Sequence, residues 1–128
     1  MDIRGFHHLA IQVQSLERMA AFYSGVLGLP ELERHLRPDG SVRSIWLSLC
    51  SGFLALEEAT GEPTGEPFIS PRPGLHLLAL RIDASDRARV RDALERHGAA
   101  IIKETGWTLY IQDPEGNRIG LSHHPTPG

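Results

Sequence analysis

The sequence predicts an α+β fold built from two βαβββ modules. The first observation is an internal repeat, in which FHHLAIQV at residues 6–13 aligns with LHLLALRI at residues 75–82. Apolar residues alternate with other residues in both segments, a pattern typical of half-buried strands. The second observation is a helical pattern after each segment, which ends at Gly28 or Gly98, where a left-handed C-cap is expected.

The remaining elements follow in the same order in both halves. Ser15 precedes LERMAAFYSGVLG and Ser85 precedes DRARVRDALERHG, so each serine is predicted to cap its helix. Three strand signals separated by turn residues come after each helix. They are residues 31–37, 42–49 and 53–57 in the first half and residues 100–103, 107–112 and 118–122 in the second.

These elements define one predicted domain over residues 1–128. Module one covers residues 1–58, a linker rich in Pro and Gly covers 59–73, and module two covers 74–124. A module of about fifty residues is too short to form a hydrophobic core that is stable on its own. The modules are therefore expected to pack together, within one chain or exchanged between two chains.

Composition excludes several classes of protein. With 41% hydrophobic and 23% charged residues, the 128-residue chain is typical of a globular protein. No apolar run approaches the roughly 20 residues of a membrane helix, and MDIRGFHH lacks the apolar region of a secretion signal. A net charge of −3 with both signs mixed along the chain argues against a nucleic-acid partner. The single cysteine, Cys50, forms no internal disulfide, so a reducing, cytoplasmic location is expected.

Alternation along the strands separates a helix side from an open side in each sheet. The open side is predicted to carry a set of ligand-binding side chains: Trp46, Ser48, Phe53, Arg81, Tyr110 and Arg118. Exposed aromatic rings offer stacking area, and arginines fit anionic or carbonyl groups. A merely solvated sheet face is the alternative. His7 and His76 are predicted to point to the helix side or to the strand edge.

Four segments resemble the vicinal oxygen chelate superfamily, which includes glyoxalase I, bleomycin-resistance proteins, fosfomycin-resistance enzymes and extradiol dioxygenases. The segments are HLAIQV (8–13), SLERMAAFYSGVLGL (15–29), GLHLLALRID (74–83) and DPEGNRIGL (113–121). The resemblance implies a glyoxalase/bleomycin-resistance-like fold, in which the two modules form one cup-shaped mixed sheet. It also implies a homodimer.

Metal-dependent members of this superfamily hold a divalent cation in the cup. The resemblance places its four ligand positions at His8, Leu77, Gly120 and, at or near, Ala55. Leucine, glycine and alanine cannot coordinate a hard cation, and a useful site needs three or four N or O ligands. No metal cofactor is therefore expected. A bulge that turns His76 inward, or a set of His8, His124 and Glu57, is an alternative that the spacing does not demand.

Three functions remain open at this point. The leading hypothesis is a metal-free cup that binds a small organic ligand. The second is a metal-free enzyme in which His8 or Glu57 moves a proton on a bound carbonyl compound. The third is a metal-dependent lyase or isomerase of the glyoxalase type. If the protein is an enzyme, with or without a metal, it is expected to be a lyase, an isomerase or a ring-modifying member of the superfamily.

Overall fold

The computed structural model describes residues 1–61 and 73–127. The chain divides into two compact units, Met1–Pro63 and Thr64–Gly128. Each unit contains a strand, a helical segment and three further strands, which confirms the two predicted βαβββ modules. Most of the predicted linker, residues 62–72, lies outside the described residues. The assignment of both modules to one domain stays a prediction.

The first unit is a four-stranded mixed sheet with one short helix. Its elements are β1 (His8–Val13), α1 (Leu16–Ala20), a π-helical segment (Ala21–Val26), β2 (Glu31–Leu36), β3 (Val42–Leu49) and β4 (Gly52–Glu58). The strand order is β1-β4-β3-β2. β1 runs parallel to β4, while the other two pairs are antiparallel. The parallel pair arises because the helix returns the chain across the sheet before the three-stranded meander begins.

The second unit repeats this arrangement. Its elements are β5 (Leu78–Arg81), a 3₁₀ turn (Ala84–Asp86), α2 (Arg87–Arg96), β6 (Ile101–Glu104), β7 (Thr108–Gln112) and β8 (Arg118–Ser122). The strand order β5-β8-β7-β6 is the counterpart of the order in the first sheet. The registers also correspond, because Trp46 pairs with Ala55 in the first sheet and Tyr110 pairs with Gly120 in the second.

The core of each unit lies on the helix side of its sheet, as the alternation predicted. It contains Met19, Tyr23, Ile45, Leu47, Leu54 and Leu56 in the first unit and Leu94, Leu109, Ile111, Ile119 and Leu121 in the second, all 3% exposed or less. Arg34 on β2 forms an ion pair with Glu17 on α1, so α1 lies over this same face of the first sheet. The face assignment of both sheets is therefore confirmed.

The helix ends follow the prediction only in part. Ser15 caps α1, since its hydroxyl accepts the Arg18 N–H at 3.3 Å, and Gly28 and Gly98 adopt φ values of 78° and 71°. The prediction for Ser85 was wrong, because this residue lies inside the 3₁₀ turn and α2 begins at Arg87 without a side-chain cap. None of the helices in the described part of the chain is long and apolar enough to cross a membrane.

Candidate functional site

The open face of the first sheet carries a ladder of four rings, one from each strand. His8 on β1 stacks on Phe53 on β4, with ring centroids 4.6 Å apart and an interplanar angle of 3°. Phe53 stacks on Trp46 of β3 at 4.3 Å and 21°. His35 on β2 completes the ladder, edge-on to Trp46 at 4.6 Å.

The pairing register explains the ladder. His8 is the direct partner of Phe53, and Ser48 lies opposite Phe53 on β3, so these predicted side chains share one face. Neighbouring strands lie about 4.8 Å apart, which matches the spacing of stacked rings. Since His8 covers one face of Phe53 and Trp46 covers the other, Phe53 presents its edge rather than its face on the open side of the sheet. The Trp46 ring is half-buried, and its Nε1 atom is buried without a hydrogen-bond partner in the described residues.

A second imidazole lies beside the ladder. The Nδ1 atoms of His7 and His8 are 2.8 Å apart, and the His7 ring is edge-on to Phe53 with centroids 5.7 Å apart. The sequence predicted that His7 points to the helix side or to the strand edge, and its ring instead contacts these open-face residues. The reason is that β1 begins at His8, so the alternation of the strand does not extend to residue 7.

Sequence reasoning missed two further residues on this face. His35 Nδ1 lies 2.9 Å from the hydroxyl of Ser44, and its Nε2 lies 3.3 Å from a carboxylate oxygen of Glu33. A β-bulge between Glu31 and Glu33 shifts the register of β2, which puts Glu33 opposite Trp46. The candidate Glu57 is exposed at the other end of the face, paired with Gln12 and Ser44.

The open face of the second sheet is organised around Tyr110. The guanidinium carbon of Arg118 lies 4.8 Å from the centroid of the Tyr110 ring, and Lys103 Nζ lies 5.8 Å from it. The predicted Arg81 is exposed at the end of β5, paired with Ser122. Lys103 was not predicted, because it reaches the open face through a bulge between Ile101 and Lys103 that repeats the bulge of the first sheet.

The DPEGN turn fixes the strand that carries Arg118 and Gly120. The buried carboxylate of Asp113 accepts three hydrogen bonds, from the N–H of Glu115 at 2.9 Å and from the backbone and side-chain nitrogens of Asn117 at 3.0 and 2.8 Å. The backbone at Gly116 has a φ of 88°, which favours glycine. This part of the family motif therefore has a structural role that does not depend on a metal.

The four positions that the family uses for a metal do not fit a divalent cation here. A Cβ atom built on Gly120 would lie 3.6 Å from Cδ1 of Leu77, so the leucine side chain covers this glycine on the open face. Ala55 offers only a methyl group, which leaves the His8 imidazole as the single donor of the set. In residues 1–61 and 73–127, no group of three or more His, Cys, Asp or Glu side chains is placed to hold a metal ion.

The family model of the Glyoxalase/Bleomycin resistance protein/Dioxygenase superfamily matches residues 5–121. The chain therefore belongs to this superfamily, as the four sequence segments predicted. A comparison with the curated proteins finds no match.

Solved structures of similar proteins support the same fold. A glyoxalase/dioxygenase from Nostoc punctiforme is 23% identical with a TM-score of 0.79, and the match covers 96% of this chain and 92% of that one. The fosfomycin resistance protein FosX from Mesorhizobium loti is 21% identical with a TM-score of 0.75, over 94% and 92% of the two chains. FosX from Listeria monocytogenes, in complex with Mn(II) and sulfate, is 16% identical with a TM-score of 0.75, over 95% and 93%.

Proposed function

We propose that this chain is a glyoxalase/bleomycin-resistance-like protein with a degenerate metal site, which binds a small organic ligand in a cup formed by its open sheet faces. The observation that carries the proposal is the ring ladder His8–Phe53–Trp46, because a cluster of rings on the open face of a sheet is typical of a binding surface. The ligand would contact the ring edges of Phe53 and Trp46 and the hydroxyl of Ser48.

On the second sheet, the Tyr110 ring and the cations Arg81 and Arg118 would contact the rest of the ligand. The Mn(II) held by the FosX relative has no counterpart in this proposal, since Leu77 and Gly120 supply no ligand atoms.

A metal-free enzyme is the second candidate, and the contact between His7 and His8 favours it. Two neutral imidazoles joined through their Nδ1 atoms share one proton, so one ring must present an unprotonated Nε2 as a base. In this version His8 or Glu57 moves a proton on the bound ligand. The homodimer and the cytoplasmic location stay predictions.

Binding of the neutral aromatic probe 2-naphthol tests the proposal. In a Trp107→Phe background Trp46 is the single tryptophan, so quenching of its fluorescence reports contact with the ladder. We expect saturable quenching in the Trp107→Phe protein. Phe53→Ala, which removes the ring stacked on Trp46, should weaken this quenching, and the control Leu32→Ala at an exposed position should leave it unchanged. Absence of saturable quenching, or equal quenching in all variants, would contradict a binding surface at the ladder.

The His8→Ala variant separates the two candidate functions once a ligand is known. Unchanged ligand affinity with lost turnover identifies an enzyme, because only the proton-transfer step needs the imidazole. Turnover that persists in both His8→Ala and Glu57→Gln contradicts proton transfer by these residues.

A further inference from the structure

Equivalent positions of the two sheets carry opposite chemistry. The bulge of the first sheet places Glu33 opposite Trp46, and the same bulge in the second sheet places Lys103 opposite Tyr110. A carboxylate in one module therefore corresponds to an ammonium group in the other, beside an aromatic ring in both.

At two more positions a neutral side chain of the first sheet corresponds to a cation in the second. Phe53 in the first sheet corresponds to Arg118 in the second, because these residues lie two positions before the equivalent Ala55 and Gly120. Gln12 on β1 corresponds to Arg81 on β5. Their pairing partners, Glu57 and Ser122, each lie two residues after the equivalent Ala55 and Gly120. The strand residues on the open face of the second sheet thus include three cations and no acid, while those of the first sheet include no Lys or Arg.

Two of these cations, Lys103 and Arg81, differ from the arginines on the helix side of the sheet. Arg87 and Arg91 on α2 both contact the carboxylate of Glu104, whereas neither Lys103 nor Arg81 makes an ion pair within the described part of the chain. Arg118 and Lys103 come from the two strands that flank β7, and both lie over the Tyr110 ring. Two cations beside one phenol concentrate positive charge on this part of the open face, which attracts an anion.

We propose that the open face of the second sheet binds an oxyanion, a carboxylate or a phosphoryl group, of the small organic ligand. Arg118 offers the planar fork of donors that suits either group, Lys103 offers a point charge, and the Tyr110 hydroxyl offers a neutral donor. This inference rests on the proposed function for the identity of the ligand as a small organic molecule. It adds that this ligand is an anion and that the second module recognises its charged end.

Titration with phenylphosphonate and benzoate, against neutral benzyl alcohol, tests the inference. Amide chemical shifts are followed by NMR at constant ionic strength, because added salt screens exposed charges. We expect saturable shifts at Tyr110 and Arg118 with at least one anionic probe and none with benzyl alcohol. Preference for one anion identifies the oxyanion class.

Charge-removing variants show whether these side chains form the site. Arg118→Gln and Lys103→Gln are each expected to weaken anion binding about tenfold, the size of one charge-assisted hydrogen bond. Arg89→Gln is the matched control, because Arg89 lies exposed on α2 of the same unit. If Arg118→Gln fails to fold, the exposed Lys103 still provides the test.

The possible failures are distinct. Anion binding of equal strength in the wild type and in both variants would overturn the inference, as would the absence of saturable anion binding. Quenching of Trp46 by 2-naphthol in that case would leave the proposed function standing. Anion binding without 2-naphthol binding would contradict only the role of the ladder and would leave the anion site standing.

Discussion

The Nδ1 atoms of His7 and His8 lie 2.8 Å apart, within hydrogen-bond distance, although the two residues are adjacent in sequence. A hydrogen bond between them needs one protonated and one unprotonated Nδ1. The stack of His8 on Phe53 and the edge-on contact of His7 with the same ring hold both imidazoles in place. When both rings are neutral, the pair therefore presents one Nε2 that accepts and one that donates.

Removal of His7 should change the tautomer of His8. The wild type is expected to show one neutral ring with its proton on Nδ1 and the other with its proton on Nε2, because the shared hydrogen bond selects these forms. In His7→Ala the constraint is lost, so the nitrogen chemical shifts of the His8 imidazole should move toward those of a free histidine. Long-range proton–nitrogen NMR spectra measure this, with His97→Ala at the C-terminus of α2 as the control. Unchanged His8 nitrogen shifts in His7→Ala would contradict the pair.

The position of His7 also shows where strand alternation loses its predictive value. Alternation placed Trp46, Phe53 and His8 on one face correctly, because they lie inside regular strands. It failed for His7, which precedes the first paired residue of β1, and it missed Glu33 and Lys103, which reach the open face through bulges. A bulge adds one residue to one strand, and a single sequence gives little sign of it.

Phe53→Ala should destabilise the first unit by about 1–3 kcal/mol. The estimate combines two aromatic stacks at roughly 0.5–1.5 kcal/mol each, and the loss of buried ring area adds to it. Chemical denaturation gives the free energy of unfolding. Phe53→Leu is the matched variant, since it keeps most of the apolar area and loses only the stacking. A Phe53→Ala protein as stable as the wild type would show that the ladder is not a packed unit.

Glu104→Gln should lower the melting temperature near neutral pH but not in acid. Hydrogen bonds from Arg91 and then Arg87 lower the pKa of the Glu104 carboxyl below its ordinary value in the folded state. A lowered folded pKa means that the unfolded state binds more protons, so this stabilisation is present above the ordinary pKa and is lost as the pH falls through the lowered one. Thermal melts over a pH series should therefore show the two proteins converge in acid.

Asp2→Asn is the control for this pH series, because Asp2 pairs with Arg4 at 3.8 Å with both side chains almost fully exposed. An exposed pair of this kind contributes little to stability. A gap between Glu104→Gln and the wild type that does not depend on pH would show that the carboxylate charge is irrelevant.

Strand patterns alone did not predict a site shared by the two modules. The register of each sheet followed from the repeat, since Ala55 and Gly120 occupy the equivalent positions that the alignment gave them. In the proposed function a ligand would contact side chains of both modules, and no local pattern in either half records the distance between the two open faces. The cup was predicted only from the family resemblance, and substitutions at the metal positions test it directly.

The prediction that the metal site is degenerate concerns the wild type first and then a variant with substitutions at Leu77 and Gly120. The wild type should retain no stoichiometric Zn, Ni, Mn or Fe after dialysis, and a chelator should leave its melting temperature unchanged. A single imidazole binds a cation weakly, and the stabilisation that a ligand gives depends on its saturation. A stoichiometric metal in the purified wild type would overturn the degenerate site.

The variant Leu77→His with Gly120→Glu should bind Mn(II) or Zn(II) and melt at a higher temperature when the metal is present. A Cβ atom at Gly120 would meet Thr108 Cγ2 at 3.4 Å, an ordinary contact, and the backbone there has no positive φ that would strain a larger residue. If the two open faces share one cup, His8 supplies a third ligand, so adding His8→Ala should weaken metal binding about tenfold or more. Equal metal affinity with and without His8 would show that the faces do not meet, and it would contradict the cup.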